Sequence, residues 1–231
     1  MNKLRYSRQI AIPEIGKLGQ ERLRKSRVII IGCGALGSMV AIQLAGAGVG
    51  HLAIADFDNI DISNLQRQFF YQTEEAGLPK VEILKKRILA LNPEVEVKVI
   101  NKLVTSKLAA EEFPHYDFIV DATDNPDSKG MVDKMAQMHE KPCCIGGIRE
   151  FAGQVITLLP GDTRFDEIFG KASGDSFLPC SLSGVIGPAA AFCASVQANE
   201  VIKFLTGSGE LLTGKLFLFD LQKNNFNIIS L

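Results

Sequence analysis

The run Arg27-Val28-Ile29-Ile30-Ile31-Gly32-Cys33-Gly34-Ala35-Leu36-Gly37 decides the fold. Its mostly β-branched start reads as a buried strand, and the small residues from Ala35 to Ala47 read as a helix. Between them the glycines form G-x-G-x-x-G, which permits a tight turn and close approach of a phosphate to a helix N-terminus. Free N–H groups and the helix dipole favour anions there. A second β run, His51 to Ala55, ends at Asp56, 19 residues past Gly37 and placed to accept hydrogen bonds from a ribose. Together these features point to an adenosine nucleotide. NAD is the usual occupant, so an NAD-dependent oxidoreductase is one reading.

Downstream, strands and helices alternate. Val81, Leu84, Ile88 and Leu91 recur at helical spacing until Asn92-Pro93. Val95 to Ile100 and Asp117 to Asp121 read as strands, and Asn125-Pro126 caps and opens a helix to about His139. Cys143 to Ile145 and Val155 to Leu159 read as short strands, and Val185 to Leu205 as a buried helix. Lys215 to Asp220 and Phe226 to Leu231 read as a terminal hairpin. The expected class is α/β: a doubly wound, mostly parallel, Rossmann-like sheet with a C-terminal antiparallel extension. The Gly-, Asp-, Ser- and Pro-rich stretch 160–183 breaks the rhythm and reads as a mobile crossover loop. No linker divides residues 1–231, which read as one domain.

Composition narrows the function classes. The 231 residues are 46% apolar, enough for a substantial core. Lys+Arg 25 against Asp+Glu 26 gives a net charge of −1, which argues against nucleic acid or an acidic membrane as partner. The five cysteines are 33, 143, 144, 180 and 193; the number is odd and no C-x-x-C occurs. Neither a disulfide framework nor a Cys₄ zinc site is supported. His51, His115 and His139 are too scattered for a ligand cluster. The N-terminus has no apolar core of a signal peptide, and Gln197, Asn199, Glu200 and Lys203 interrupt the 185–205 stretch, so no membrane span is expected. The expected setting is a reducing cytoplasm.

Further polar groups follow each strand. Asp56 to Gln68 packs them just past a strand's C-terminal edge, where open α/β sheets bind ligands. Lys80 stands at a helix N-terminus, where a cation opposes the macrodipole unless a polyphosphate is bound. Asp124 ends the fourth strand, and a carboxylate there could hold Mg²⁺ while phosphates complete its shell.

Six ordered motifs then resemble the ThiF/MoeB/HesA family, bacterial relatives of the ubiquitin-activating enzymes. They are Arg5-Tyr6-Ser7-Arg8-Gln9-Ile10, Gly32 to Gly37, Asp56-Phe57-Asp58, Ser63-Asn64-Leu65-Gln66-Arg67-Gln68, Gly77-Leu78-Pro79-Lys80 and Ala122-Thr123-Asp124-Asn125. The resemblance implies ATP–Mg²⁺-dependent adenylation of the C-terminal Gly-Gly carboxylate of a ubiquitin-like sulfur carrier. It implies that Gly32, Gly34, Gly37, Asp56, Asp58, Asn64 and Asn125 bind nucleotide, and that Arg67 and Lys80 neutralise the polyphosphate. Asp124 would hold Mg²⁺, and Arg8 would reach into a partner subunit's site, making the active unit a homodimer. Cys180 occupies a place where some members use a thiol, which favours the thiamine-thiazole branch over the molybdopterin branch. The two C-x-x-C pairs of zinc-bearing members are missing, so no structural zinc is expected, and sulfur should come from a separate persulfide donor. A catalytically silent scaffold subunit is the remaining alternative.

Overall fold

The β-branched run that opens the glycine motif sits at the centre of an eight-stranded sheet. The computed structural model describes residues 4–170 and 184–231. Its elements in chain order are α1 Ser7–Ile10, α2 Gly16–Lys25, β1 Arg27–Ile31, α3 Gly37–Ala47, β2 His51–Ala55, α4 Lys80–Leu91, β3 Glu96–Ile100, α5 Ser106–Glu112, β4 Phe118–Asp121 and α6 Pro126–Met138. They continue with β5 Cys143–Arg149, β6 Ala152–Leu158, α7 Phe165–Phe169, α8 Gly187–Thr206, β7 Lys215–Asp220 and β8 Asn225–Ser230. The strand order is β3-β2-β1-β4-β5-β6-β7-β8. β1 to β5 are parallel, and β6, β7 and β8 join antiparallel. The expected class and its C-terminal extension are both present.

Burial on two faces explains the central sequences. Val28 and Ile30 of β1 join a core with α3, α4 and α8, whereas Ile29 and Ile31 join one with α5 and α6. A strand covered on both sides needs apolar residues at every position, hence an unbroken run instead of alternation. The 11-residue α3 also buries Val40, Ala41, Leu44 and Ala45 and ends at Gly48, whose φ of +86° suits only a residue without Cβ.

The chain departs from simple winding in two places that matter for function. After β3 it returns to the other side of β1 to make β4, so the sheet's order reverses between β1 and β4. Crevices at such switch points, beyond the strands' C-terminal ends, are where open α/β sheets take ligands. The 160–183 stretch is also not without structure where described. Phe165–Phe169 forms α7, held by the Phe165 N–H donating to Asp133 Oδ2 at 3.0 Å and by the rings of Phe165 and Phe169 4.7 Å apart. No helix among the described residues is long and apolar enough to cross a membrane.

Candidate active site

The three glycines of the turn have different jobs. Gly32 has φ +92°, and a Cβ there would stand 2.7 Å from the Ala122 carbonyl oxygen. A Cβ on Gly37 would fall 1.8 Å from the Gly32 oxygen. Both are therefore demanded by the chain's own backbone packing. A Cβ on Gly34 would meet only the Gln68 amide nitrogen, at 3.4 Å. Gly34 is the one of the three that keeps the turn's outer side open. The N-terminus of α3 has no side-chain cap; the Ser38 N–H donates to the Gly34 carbonyl at 3.2 Å, while the Gly37 N–H has no such partner among the described residues and is left for an anion.

Asp56, at the end of β2, grips this turn. Its Oδ2 accepts the Cys33 N–H at 2.6 Å, and its Oδ1 accepts the Asp58 N–H at 2.8 Å. Each oxygen keeps a further lone pair for a ribose hydroxyl. Burial raises the carboxyl above the ordinary aspartate range, while the Asp58 and Cys33 N–H groups and the Lys80 charge pull it back down.

Lys80 is buried at 4% exposure on the first turn of α4, the unfavourable end for a cation. Asp58 offsets both the dipole and the desolvation: its Oδ2 lies 2.8 Å from Lys80 Nζ, and its carbonyl accepts the Lys80 N–H. That costly placement makes sense if the ammonium serves an anion. Arg67 is half-buried nearby in sequence, donating to Asn64 Oδ1 at 2.7 Å and to the Ser63 carbonyl at 3.3 Å.

Across the crevice, β4 runs into Ala122-Thr123-Asp124-Asn125. Asn125 caps α6, its Oδ1 accepting the Ser128 N–H at 2.8 Å, so its side-chain oxygen is already engaged. Asp124 is exposed and makes no hydrogen bond or ion pair among the described residues. No group of three or more His, Cys, Asp or Glu suited to a metal exists among the described residues. A cation held by Asp124 would therefore draw its other ligands from phosphate oxygens and water, the coordination Mg²⁺ prefers.

Below this turn lies a residue that sequence reasoning missed. Lys129 Nζ donates to Asp121 Oδ2, the Thr123 carbonyl and the Gly146 carbonyl, each at 2.6 Å, which spends all three protons. Asp121 Oδ1 accepts the Thr123 hydroxyl at 2.7 Å, and Gln197 Nε2 donates to the Asp121 carbonyl at 2.8 Å. This hub ties the end of β4 and the middle of β5 to α6 and α8 close to Asp124 in the chain. The only sequence signal was position: one helical turn after the Asn125 cap, a lysine can fold back over the strand end.

Arg8, expected to serve a partner subunit's site, stands away from the crevice of its own chain. Arg8 lies exposed on α1, which packs at the far end of α3: Tyr6 lies against Gly48, and Gln9 Nε2 donates to the Ala47 carbonyl at 2.9 Å. An 11-residue helix is about 16 Å long, so α1 with Arg8 and the glycine turn sit at opposite ends of α3. Cys180 lies outside the described residues. The other four cysteines are buried packing, as expected, and burial pushes every thiol up, Cys193 to about 12. An open cavity lined by Arg27, His51, Glu96, His115 and Tyr116 lies at the N-terminal ends of β1, β2 and β3 and holds none of these residues.

Residues 6–231 match the ThiF family. The chain belongs to that family. It is 38% identical over 229 residues to the sulfur carrier protein adenylyltransferase of Thermus thermophilus, covering 96% of this chain and 84% of the relative. It is 33% identical over 231 residues to the molybdopterin-synthase adenylyltransferase of Haemophilus influenzae, covering 99% and 95%. Among solved structures, the crystal structure of PaaA superposes with a TM-score of 0.83 at 28% identity, covering 99% of this chain and 73% of its own. ThiF-family membership agrees with the glycine turn, Asp56 and Lys80 standing around one crevice.

Proposed function

We propose that this ThiF-family chain uses ATP to adenylate the C-terminal Gly-Gly carboxylate of a ubiquitin-like sulfur-carrier protein, releasing pyrophosphate. A separate persulfide donor then supplies sulfur to the activated carrier. The observation that supports this most is Lys80: a buried ammonium at a helix N-terminus, paired with Asp58, beside an uncapped helix over a glycine turn. NAD carries only a diphosphate, which the glycine turn and helix N-terminus can hold, whereas the triphosphate of ATP adds charge for that cation to meet. Names of the T. thermophilus and H. influenzae relatives point the same way.

The chemistry needs little from the protein beyond placement and charge. The attacking carboxylate is already ionised at neutral pH, so no general base is required. Asp56 orients the ribose, and the free N–H groups of α3 and the turn hold the phosphates. Lys80, with Arg67 released from Asn64, stabilises charge that builds on the α-phosphoryl oxygens as the acyl–phosphate bond forms and pyrophosphate leaves. Asp124 is the residue that would hold Mg²⁺, which supplies countercharge to the leaving pyrophosphate when bound. Arg8 lies on α1 at the far end of α3 from its own chain's site, which supports a homodimer whose sites are each completed by the partner's arginine.

Pyrophosphate exchange tests the reading. Purified protein, ATP, Mg²⁺ and a Gly-Gly carrier should exchange labelled pyrophosphate into ATP, and exchange should vanish when the carrier's last glycine is removed. Absence of exchange with every Gly-Gly carrier of the source organism overturns it. Running the assay against a thiazole-pathway carrier and a molybdopterin-pathway carrier divides the two branches; our preference for thiamine rests on Cys180 alone.

A further inference from the structure

We propose that Gln68 is a further nucleotide-contacting residue, its Oε1 accepting a ribose hydroxyl at the glycine turn; this rests on the ATP reading above. Gln68 is 4% exposed, and its buried Oε1 has no hydrogen-bond partner among the described residues. Its Nε2 faces Gly34, 3.4 Å from where a Cβ of that glycine would stand. The backbone fixes it there. The Gln68 N–H donates to the Asn64 carbonyl, and its own carbonyl accepts the Tyr71 N–H. The Tyr71 hydroxyl donates to the Cys33 carbonyl at 2.6 Å, pinning the whole segment over the turn.

A desolvated amide oxygen without a donor is expensive, and native structures rarely keep one without a use. Packing against Gly34 is served as well by leucine or methionine, which bury no polar atom. The oxygen is an acceptor, so the ligand group must donate. At neutral pH the donors on ATP are the ribose hydroxyls and the adenine amine. The ribose is the group that belongs at the C-terminal end of β2. Asp56 grips the same turn from that side through the Cys33 N–H. Gln68 and Asp56 thus flank one ribose site, from the 64–71 segment and from β2.

The test titrates the full-length wild type and Gln68→Leu with ATP, 2′-deoxy-ATP and 3′-deoxy-ATP by calorimetry, and melts both proteins without ligand. ATP should bind Gln68→Leu about tenfold more weakly, the loss of one buried hydrogen bond. At least one deoxy analogue should bind both proteins equally, and the free variant should melt no lower than wild type. Equal ATP affinity in both proteins, or the same weakening for all three nucleotides, overturns the proposal. Gln68→Met gives the same comparison if the leucine variant does not fold. A wild type that binds no ATP refutes the ATP reading itself, a distinct outcome.

Discussion

Replacing Lys129 with methionine isolates the buried hub close to Asp124 in the chain. Methionine matches the length and apolar stem of lysine, so packing survives while the ammonium is lost. Three acceptors at 2.6 Å lose their donor together, and Asp121, which is fully buried, keeps only the Thr123 hydroxyl on its carboxylate. Removing one partner of a buried ion pair costs about 3–5 kcal/mol, because the surviving charge stays desolvated. The orphaned Thr123 and Gly146 carbonyls belong to the same network, so their cost overlaps with that figure instead of adding to it. For a chain of this size, about 4 kcal/mol lowers Tm by roughly 8–16 °C. Urea denaturation followed by circular dichroism measures the loss, with an unchanged m-value confirming that the same surface unfolds. Adding Asp121→Asn to Lys129→Met should recover part of it, since the double variant no longer buries a lone charge. A loss under about 1 kcal/mol, the worth of an exposed pair, refutes the reasoning. So does a double variant whose cost is the sum of the singles.

Three further outcomes follow from the same geometry. On the proposed shared site, Arg8→Ala and Lys80→Met proteins should each lack exchange activity, while an equal mixture after subunit exchange should recover about a quarter of wild-type activity. Half the dimers are then mixed, with one complete site each; no recovery refutes the shared site. Asp133 is buried with its carboxyl raised by desolvation and only partly offset by the Phe165 N–H and Arg164, so its ionisation costs stability. The sign is that of a raised acid: wild type should lose stability relative to Asp133→Asn as pH rises from the ordinary aspartate range through the raised folded value, and a pH-independent difference refutes it. Gly37→Ala should destabilise by about 3 kcal/mol or more and Gly34→Ala by less than about 1, compared by thermal melts; equal losses would contradict the backbone clash assigned to Gly37.

The central sheet was legible because two-sided burial writes itself as unbroken β-branched runs; β1 and β2 fall where the residues place them. The glycine turn, Asp56 and Lys80 were legible because each follows a strand or opens a helix, and local chemistry fixes their positions. Helices α2 and α5 were not anticipated: α2 buries only Gly19, Gln20 and Leu23, too few apolar positions to mark a period. Lys129 was illegible for a different reason. Its partners span Asp121 to Gly146, with Gln197 joining through the Asp121 carbonyl, and only the closure of β4, β5, α6 and α8 around one point reveals the hub. A lysine on a helix otherwise reads as a solvated charge. Arg8 was legible as a motif, but only the packing of Tyr6 and Gln9 at the far end of α3 shows that it faces away from its own crevice.

The unequal duties of the three glycines change how the fingerprint can be used to sort relatives. Gly32 and Gly37 answer to the backbone oxygens of Ala122 and Gly32, so a descendant that abandoned nucleotide would still have to keep them to fold. Gly34 answers to nothing internal except the tip of Gln68. In a lineage drifting towards a silent scaffold, position 34 is free to acquire a side chain first. The middle letter of the motif is thus the one that distinguishes a living site from a fossil one.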